Sequence, residues 1–225
     1  MVRGSIPALI NLYFGMQTIR KWFTHKRLMR DRITYLAIFA LIMIPLYTYL
    51  FATRVSPFEY TLSMIGNKLG YRLNFIIWGV VTGLLITFYV IRLYVLRSFH
   101  NRRARRLLIW SLIFLVLTVA IPAMEHLPIL KRLHAVAAIA FGLSLTSSLY
   151  LFIRHLEYEN KKVSVRSLWM LYVVVGGSVF LFFLFGNTGI FEIFFFFSLA
   201  IFLGLLNRWL RRYQMQEDAL RREYR

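Results

Sequence analysis

Six apolar runs, at residues 33–51, 74–96, 107–124, 134–153, 168–186 and 190–210, set the limits on what this chain can fold into. Each is 18 to 23 residues long, and about 20 apolar residues wound as an α-helix cross the hydrocarbon core of a bilayer. Backbone polar groups inside that core must be satisfied within the segment, and no run shows the alternation of a strand, so a helix is the available form. The expected fold class is all-α: a polytopic integral membrane protein, a bundle of six transmembrane helices. Composition agrees, with 59% hydrophobic and 16% charged residues, whereas soluble domains have about 45–50% and about a quarter. The same hydrophobic content excludes intrinsic disorder.

The Lys and Arg residues orient the bundle, because basic loops stay in the cytoplasm. Residues 1–32 carry seven, the 92–106 turn six, the 154–166 turn four and the 208–225 tail six, whereas the alternate loops 52–73 and 124–133 carry three and two. Both termini are therefore expected in the cytoplasm and the protein in the cytoplasmic (plasma) membrane. The net charge of +19 divides into +17 inside and +2 outside. Such a balance in a soluble chain would suggest nucleic acid. Here the charges sit at span ends, where topology places them, and the expected partners are membrane lipids, including anionic inner-leaflet lipids, with no nucleic acid. A protein partner or a second copy is the alternative. The densest cluster, Arg102, Arg103, Arg105 and Arg106, is a candidate site for a lipid phosphate on the cytoplasmic face.

Three parts follow: a basic segment at residues 1–32, the six-helix domain at 33–210 and a basic cytoplasmic tail at 211–225. In the first, Leu9, Leu12, Met16, Ile19 and Phe23 recur at helical spacing beside Arg20, Lys21, Lys26 and Arg27. That pattern predicts an amphipathic helix lying on the inner surface. A basic segment of this length before the first apolar run is not the layout of a signal peptide.

Polar residues inside spans are costly in hydrocarbon and so carry information. Arg92 is near a span end and can extend its head to the interface. Glu192 falls about one turn into the sixth run, where it either caps the helix start or faces a polar cavity. Ser144, Thr146, Ser147 and Ser148 form a hydroxyl band, read first as helix packing. Gly79 and Gly83 form G-x-x-x-G, and Gly176 and Gly177 lie in the fifth run; small residues of this kind let helices approach closely.

The outer loops hold a sharper set. Ser56-Pro57-Phe58-Glu59-Tyr60 begins the first, which runs through Ser63, Gly66 and Asn67 to Asn74; the second contains Pro122, Glu125 and His126 and leads to His134. Carboxylates beside imidazoles are the groups that general acid–base chemistry uses. The candidate outer-side pocket is thus Glu59, Ser63, Asn74, Glu125, His126, His134 and Glu192. The spacing matches no metal-ligand motif, His100 and His155 fall in cytoplasmic loops, and there is no cysteine for zinc, iron–sulfur or thiol chemistry. No nucleotide-binding or hydrolase motif occurs, so no cofactor and no metal are implied and no catalytic residue is assigned.

The order of these features resembles one superfamily. It is carried by P-F-E-x-x-x-S-x-x-G from Pro57 to Gly66, N-F-I-I-x-G from Asn74 to Gly79, and I-P followed by H-A-x-x-A-x-x-F from His134 to Phe141. The superfamily joins uncharacterised bacterial six-span proteins with the damage-regulated autophagy modulator proteins and their Frag-type relatives, some linked to remodelling of lipid anchors. The resemblance spans roughly residues 33 to 210 and implies that Glu59, Ser63, Gly66, Asn74 and His134 lie in a shared outer-side region. The reading that follows is binding or processing of a lipid or amphiphile in an outer-leaflet pocket. A small-solute or ion transporter or channel is the second reading and a non-catalytic membrane subunit or scaffold for a partner protein the third. Polarity continuous from Glu192 through the hydroxyl band to Asn207 would favour transport, and a pocket closed below by Phe194 to Phe197 would favour lipid.

Overall fold

Residues 34–124 and 127–223 are described by a computed structural model, with side chains given as far as residue 216. The predicted helix in residues 1–32 lies outside the described residues, as do Glu125 and His126. The chain divides into two compact units, Met1–Phe39 and Ala40–Arg225. Of the first, only residues 34–39, which are helical, are described.

The regular elements among the described residues are all helices: α1 (Thr34–Ala52), α2 (Leu62–Lys68), α3 (Arg72–Leu96), α4 (Arg102–Ala120), α5 (Pro128–Glu159), α6 (Lys161–Phe185) and α7 (Gly189–Glu223). Five of them, α1, α3, α5, α6 and α7, are long and apolar enough to cross a membrane. The protein is an integral membrane protein of helices. The third apolar run belongs to α4, whose first five residues include four arginines.

Sequence-local chemistry sets the helix ends. Asn101 caps α4 by accepting the N–H groups of Arg103 and Ala104 at 2.8 and 3.1 Å, and Asn160 caps α6 through Val163 N–H at 3.0 Å. Pro128 stands in the first turn of α5, where a missing N–H costs nothing. Helix α4 stops at Ala120, four residues before the apolar run does, because Pro122 disfavours the helical conformation at Ile121. Conversely, α5 and α7 extend well beyond their apolar runs, since hydropathy marks where lipid ends and not where a helix must.

Consecutive helices α3 to α7 pack side by side, and α3 also meets α7. The close approaches fall at glycines. A Cβ on Gly79 would lie 2.3 Å from Val119, one on Gly83 2.8 Å from Leu112, and one on Gly177 2.6 Å from Phe194. The G-x-x-x-G pair is therefore the seam between α3 and α4, as small-residue packing predicts. The core holds large fully buried side chains, among them Tyr89, Tyr94, Phe75, Phe152 and Phe202. Helix α6 contributes little to it: Ser164, Ser167, Leu171 and Val174 are its only buried residues.

Candidate functional site

At the end of the bundle where α7 begins, a helix start needs acceptors for its unpaired N–H groups. Helix α2 finds two. The Thr61 hydroxyl accepts from Met64 N–H at 3.1 Å, and the Glu192 carboxylate, one turn into α7, accepts from Leu62 N–H at 2.7 Å. Glu192 is half-buried and lies near two helix N-termini, its own and that of α2, where the peptide dipoles favour negative charge. The loop before α2 presses on α7 so closely that a Cβ on Gly189 would stand 2.7 Å from the Tyr60 carbonyl and 3.2 Å from that of Pro57. Only glycine admits that crossing. The hydroxyls of Thr61 and Ser63 share a hydrogen bond of 3.0 Å.

The far end of α2 continues the pattern. Asn67 donates its amide N–H to the Ser63 carbonyl at 2.8 Å and accepts from the Arg72 guanidinium through its own oxygen. The second arm of that guanidinium reaches the carbonyl of Ala120, the last residue of α4, at 2.6 Å. One residue on, the Ile121 carbonyl meets His134 Nδ1 at 3.2 Å. A carbonyl only accepts, so Nδ1 carries the proton. The unpaired carbonyls that end α4 are thus satisfied by a cation and an imidazole, the groups that a helix C-terminus favours. A chain of hydrogen bonds and adjacent residues runs Glu192–Leu62, Ser63–Asn67–Arg72–Ala120 and Ile121–His134, joining α7, α2, α3, α4 and α5.

One to two turns deeper in the same helices lies an aromatic layer. Phe75 stacks on Trp78 at 5.7 Å and on Phe51 of α1 at 6.0 Å. The Phe196 ring meets Trp78 edge-on at 5.1 Å and Phe141 at 6.3 Å. The one polar handle in this layer is satisfied: Trp78 Nε1 donates to the Thr48 hydroxyl at 3.1 Å, and Thr48 donates to the Ile44 carbonyl at 2.7 Å.

The opposite end of the bundle is held by charge. Arg97, just past α3, gives Nε to Glu159 at 2.8 Å and pairs with the same carboxylate through Nη2. Its guanidinium lies 5.1 Å from the centre of the Tyr213 ring, and the Tyr213 hydroxyl donates to the Glu159 carbonyl at 3.0 Å. His155 stands 3.6 Å from the other Glu159 oxygen. Nearby, the Ser148 hydroxyl donates to the Ala104 carbonyl at 2.6 Å and bonds Tyr94 Oη at 2.7 Å. Of the hydroxyl band, Ser148 is buried, Ser144 and Thr146 are half-buried and Ser147 is exposed.

The structure brings Ser63, His134 and Glu192 into one hydrogen-bonded chain through α2, without direct contact between the histidine and the glutamate. Glu59 is exposed on the turn that Ser56 closes, and Asn74 is half-buried in the first turn of α3. Arg102, Arg103, Arg105 and Arg106 are all exposed. Asn67 and Arg72 are central to the chain, yet sequence reasoning passed over them, counting one as loop and the other as a topology charge. Among the described residues no group of three or more His, Asp or Glu is placed to hold a metal ion. No family model, curated protein or solved structure matches this chain.

Proposed function

We propose that the chain spans the cytoplasmic membrane six times, with α4 as the additional span and both termini inside, and that it binds or processes a lipid or amphiphile at its outer side. The polar contacts of that site come from the outer pocket residues Glu59, Ser63, Asn74, Glu125, His126, His134 and Glu192, joined by Asn67 and Arg72. Its likeness to the six-span superfamily and an interfacial helix in residues 1–32 belong to the same reading. The excess of Lys and Arg in the loops assigned inside supports the orientation. Helix α4, at 19 residues, is about 28 Å long, close to the ~30 Å of the hydrocarbon core.

The observation that carries the functional reading is the aromatic layer of Phe51, Phe75, Trp78, Phe141 and Phe196 beneath the polar chain. The five rings are buried in the core and close the bundle below the polar chain, so a headgroup meets the hydrogen-bonding groups above them and its acyl chains run along the lipid-facing helices. A carboxylate has about four lone-pair sites, and Leu62 occupies one of those on Glu192. Transport would need polarity that continues inward. Instead, Ser148 is occupied by Tyr94 and Ala104, and Asn207 accepts from Arg92 at 3.3 Å.

The test is lipid retention. The chain, purified in mild detergent and analysed by native mass spectrometry, should keep one lipid class above its share in the membrane, and Glu192→Ala or Arg72→Ala should lower that enrichment. Lipids retained only in bulk proportion, together with solute or ion flux in proteoliposomes, would replace this reading with transport.

A further inference from the structure

We propose that the first turn of α4 is a docking surface for the phosphate headgroups of anionic lipids in the inner leaflet. The argument begins with length. Arg72 and His134 fix the last residues of α4 at the outer boundary, and 19 residues carry it only about 28 Å, roughly one hydrocarbon thickness. Its first turn is therefore held at the level of the opposite headgroups. Helices α5 and α7, with 32 and 35 residues, carry their ends beyond that plane.

The orientation of the turn is set from inside. Ala104 is buried and its carbonyl accepts from Ser148, so this face is anchored in the bundle. Arg102, Arg103, Arg105 and Arg106 are left exposed around it. Among the described residues no carboxylate pairs with them, because Glu159 is taken by Arg97 and Glu157 by Arg154 at 2.6 Å. Guanidinium forks match phosphate oxygens with two hydrogen bonds at a time.

A second feature selects lipid over an acidic protein segment. Arg102 and Arg106 lie one turn apart, and the same exposed side of the helix continues through Ile109, Trp110, Ile113 and Leu117. Four cations thus run directly into an apolar stripe, a sequence of surfaces complementary to a phosphate followed by an acyl chain. Trp110 sits where the two meet, the depth at which indole rings collect in membrane proteins.

The test uses the full chain in nanodiscs of phosphatidylcholine with increasing phosphatidylglycerol, reading the bound anionic lipid by native mass spectrometry after release. Replacing Arg102, Arg103, Arg105 and Arg106 by Gln should weaken phosphatidylglycerol binding at least about tenfold, given the attraction of each basic residue to an anionic surface. A matched variant with Lys161, Lys162, Arg166 and Arg208 changed to Gln removes the same charge elsewhere and should keep the preference. An Arg→Lys version of the α4 variant, with topology charge intact, should bind at an intermediate level, and millimolar inorganic phosphate should not compete. Unchanged binding by the α4 Gln variant, equal loss in the matched variant, or displacement by phosphate would each overturn the proposal. "Inner" rests on the orientation proposed above, which a reporter beside Asn101 reads separately. Loss of outer-side lipid retention alone leaves this site standing.

Discussion

Glu192 and Leu62 are 130 positions apart in sequence, and the carboxylate of the first accepts the backbone N–H of the second at 2.7 Å. A side chain of one helix thereby serves as cap for another, which makes the seven-residue α2 dependent on α7. Replacing Glu192 by Ala leaves that N–H without its acceptor and should cost about 1–2 kcal/mol. Glu192→Gln keeps an oxygen in place and should cost under about 1 kcal/mol. Unfolding in mixed detergent, followed by circular dichroism, reads both, and an alanine variant as stable as the parent would remove this bond from the fold's support.

The Arg97–Glu159 pair predicts coupling at the other end. Its side chains are 8% and 27% exposed, so removing one partner takes the nearest opposite charge from a poorly solvated group. Arg97→Gln and Glu159→Gln should each destabilise by about 2–4 kcal/mol, and the double variant by less than their sum. Strict additivity in the same unfolding assay would show that the two residues act independently.

Glycine substitutions separate close packing from open space. Gly79→Ala drives a Cβ to 2.3 Å from Val119 and should cost about 1–3 kcal/mol, regained in part by Val119→Ala. At Gly142 an added Cβ meets nothing within 4 Å, and helix propensity alone then favours alanine by up to about 1 kcal/mol. Equal effects at the two positions would contradict the α3–α4 seam.

The same contrast explains what could be read from sequence. The C-terminal end of α1, at Ala52, follows its apolar run to within a residue, since lipid contact makes hydropathy the dominant signal there. Both ends of α5, the start of α6 and the continuation of α7 past residue 210 were not legible, because outside the hydrocarbon a helix stops where a cap such as Asn160 or a proline tells it to. Glu192 and His134 stood out as polar residues that lipid would penalise. Arg72, Asn67, Arg97 and Glu159 did not, because loop counts record how many charges a turn holds and not which partner each one meets. Helix α2 is seven residues long, too short for its periodicity to register, and its acceptor comes from a segment far along the chain.

Orientation is open to direct measurement. With 23 basic residues in the loops assigned inside and five in the others, a reporter after Arg225 or between Asn101 and Arg102 should read cytoplasmic, and one beside Asn67 external. A reporter beside Asn101 that reads external reverses the bundle and moves the polar chain of Glu192, Arg72 and His134 to the inner leaflet.

His134 supports the last prediction. It is 8% exposed, and its Nδ1–H is aimed at the Ile121 carbonyl, one of the acceptors that α4 leaves unpaired at its end. Its role is therefore donation of a hydrogen bond from a fixed position. His134→Gln places an amide N–H within similar reach and should retain most stability and most bound lipid. His134→Ala removes the donor and leaves a void beside the half-buried Ile121 carbonyl, a loss of about 1–3 kcal/mol. If the polar chain orders the outer site as a unit, the alanine variant should also lower lipid retention, because α4 and α5 are no longer tied at the level of Arg72. Stability lost without any change in retained lipid would make His134 a structural cap alone, and an alanine variant matching the parent in both would show that the Ile121 bond contributes nothing.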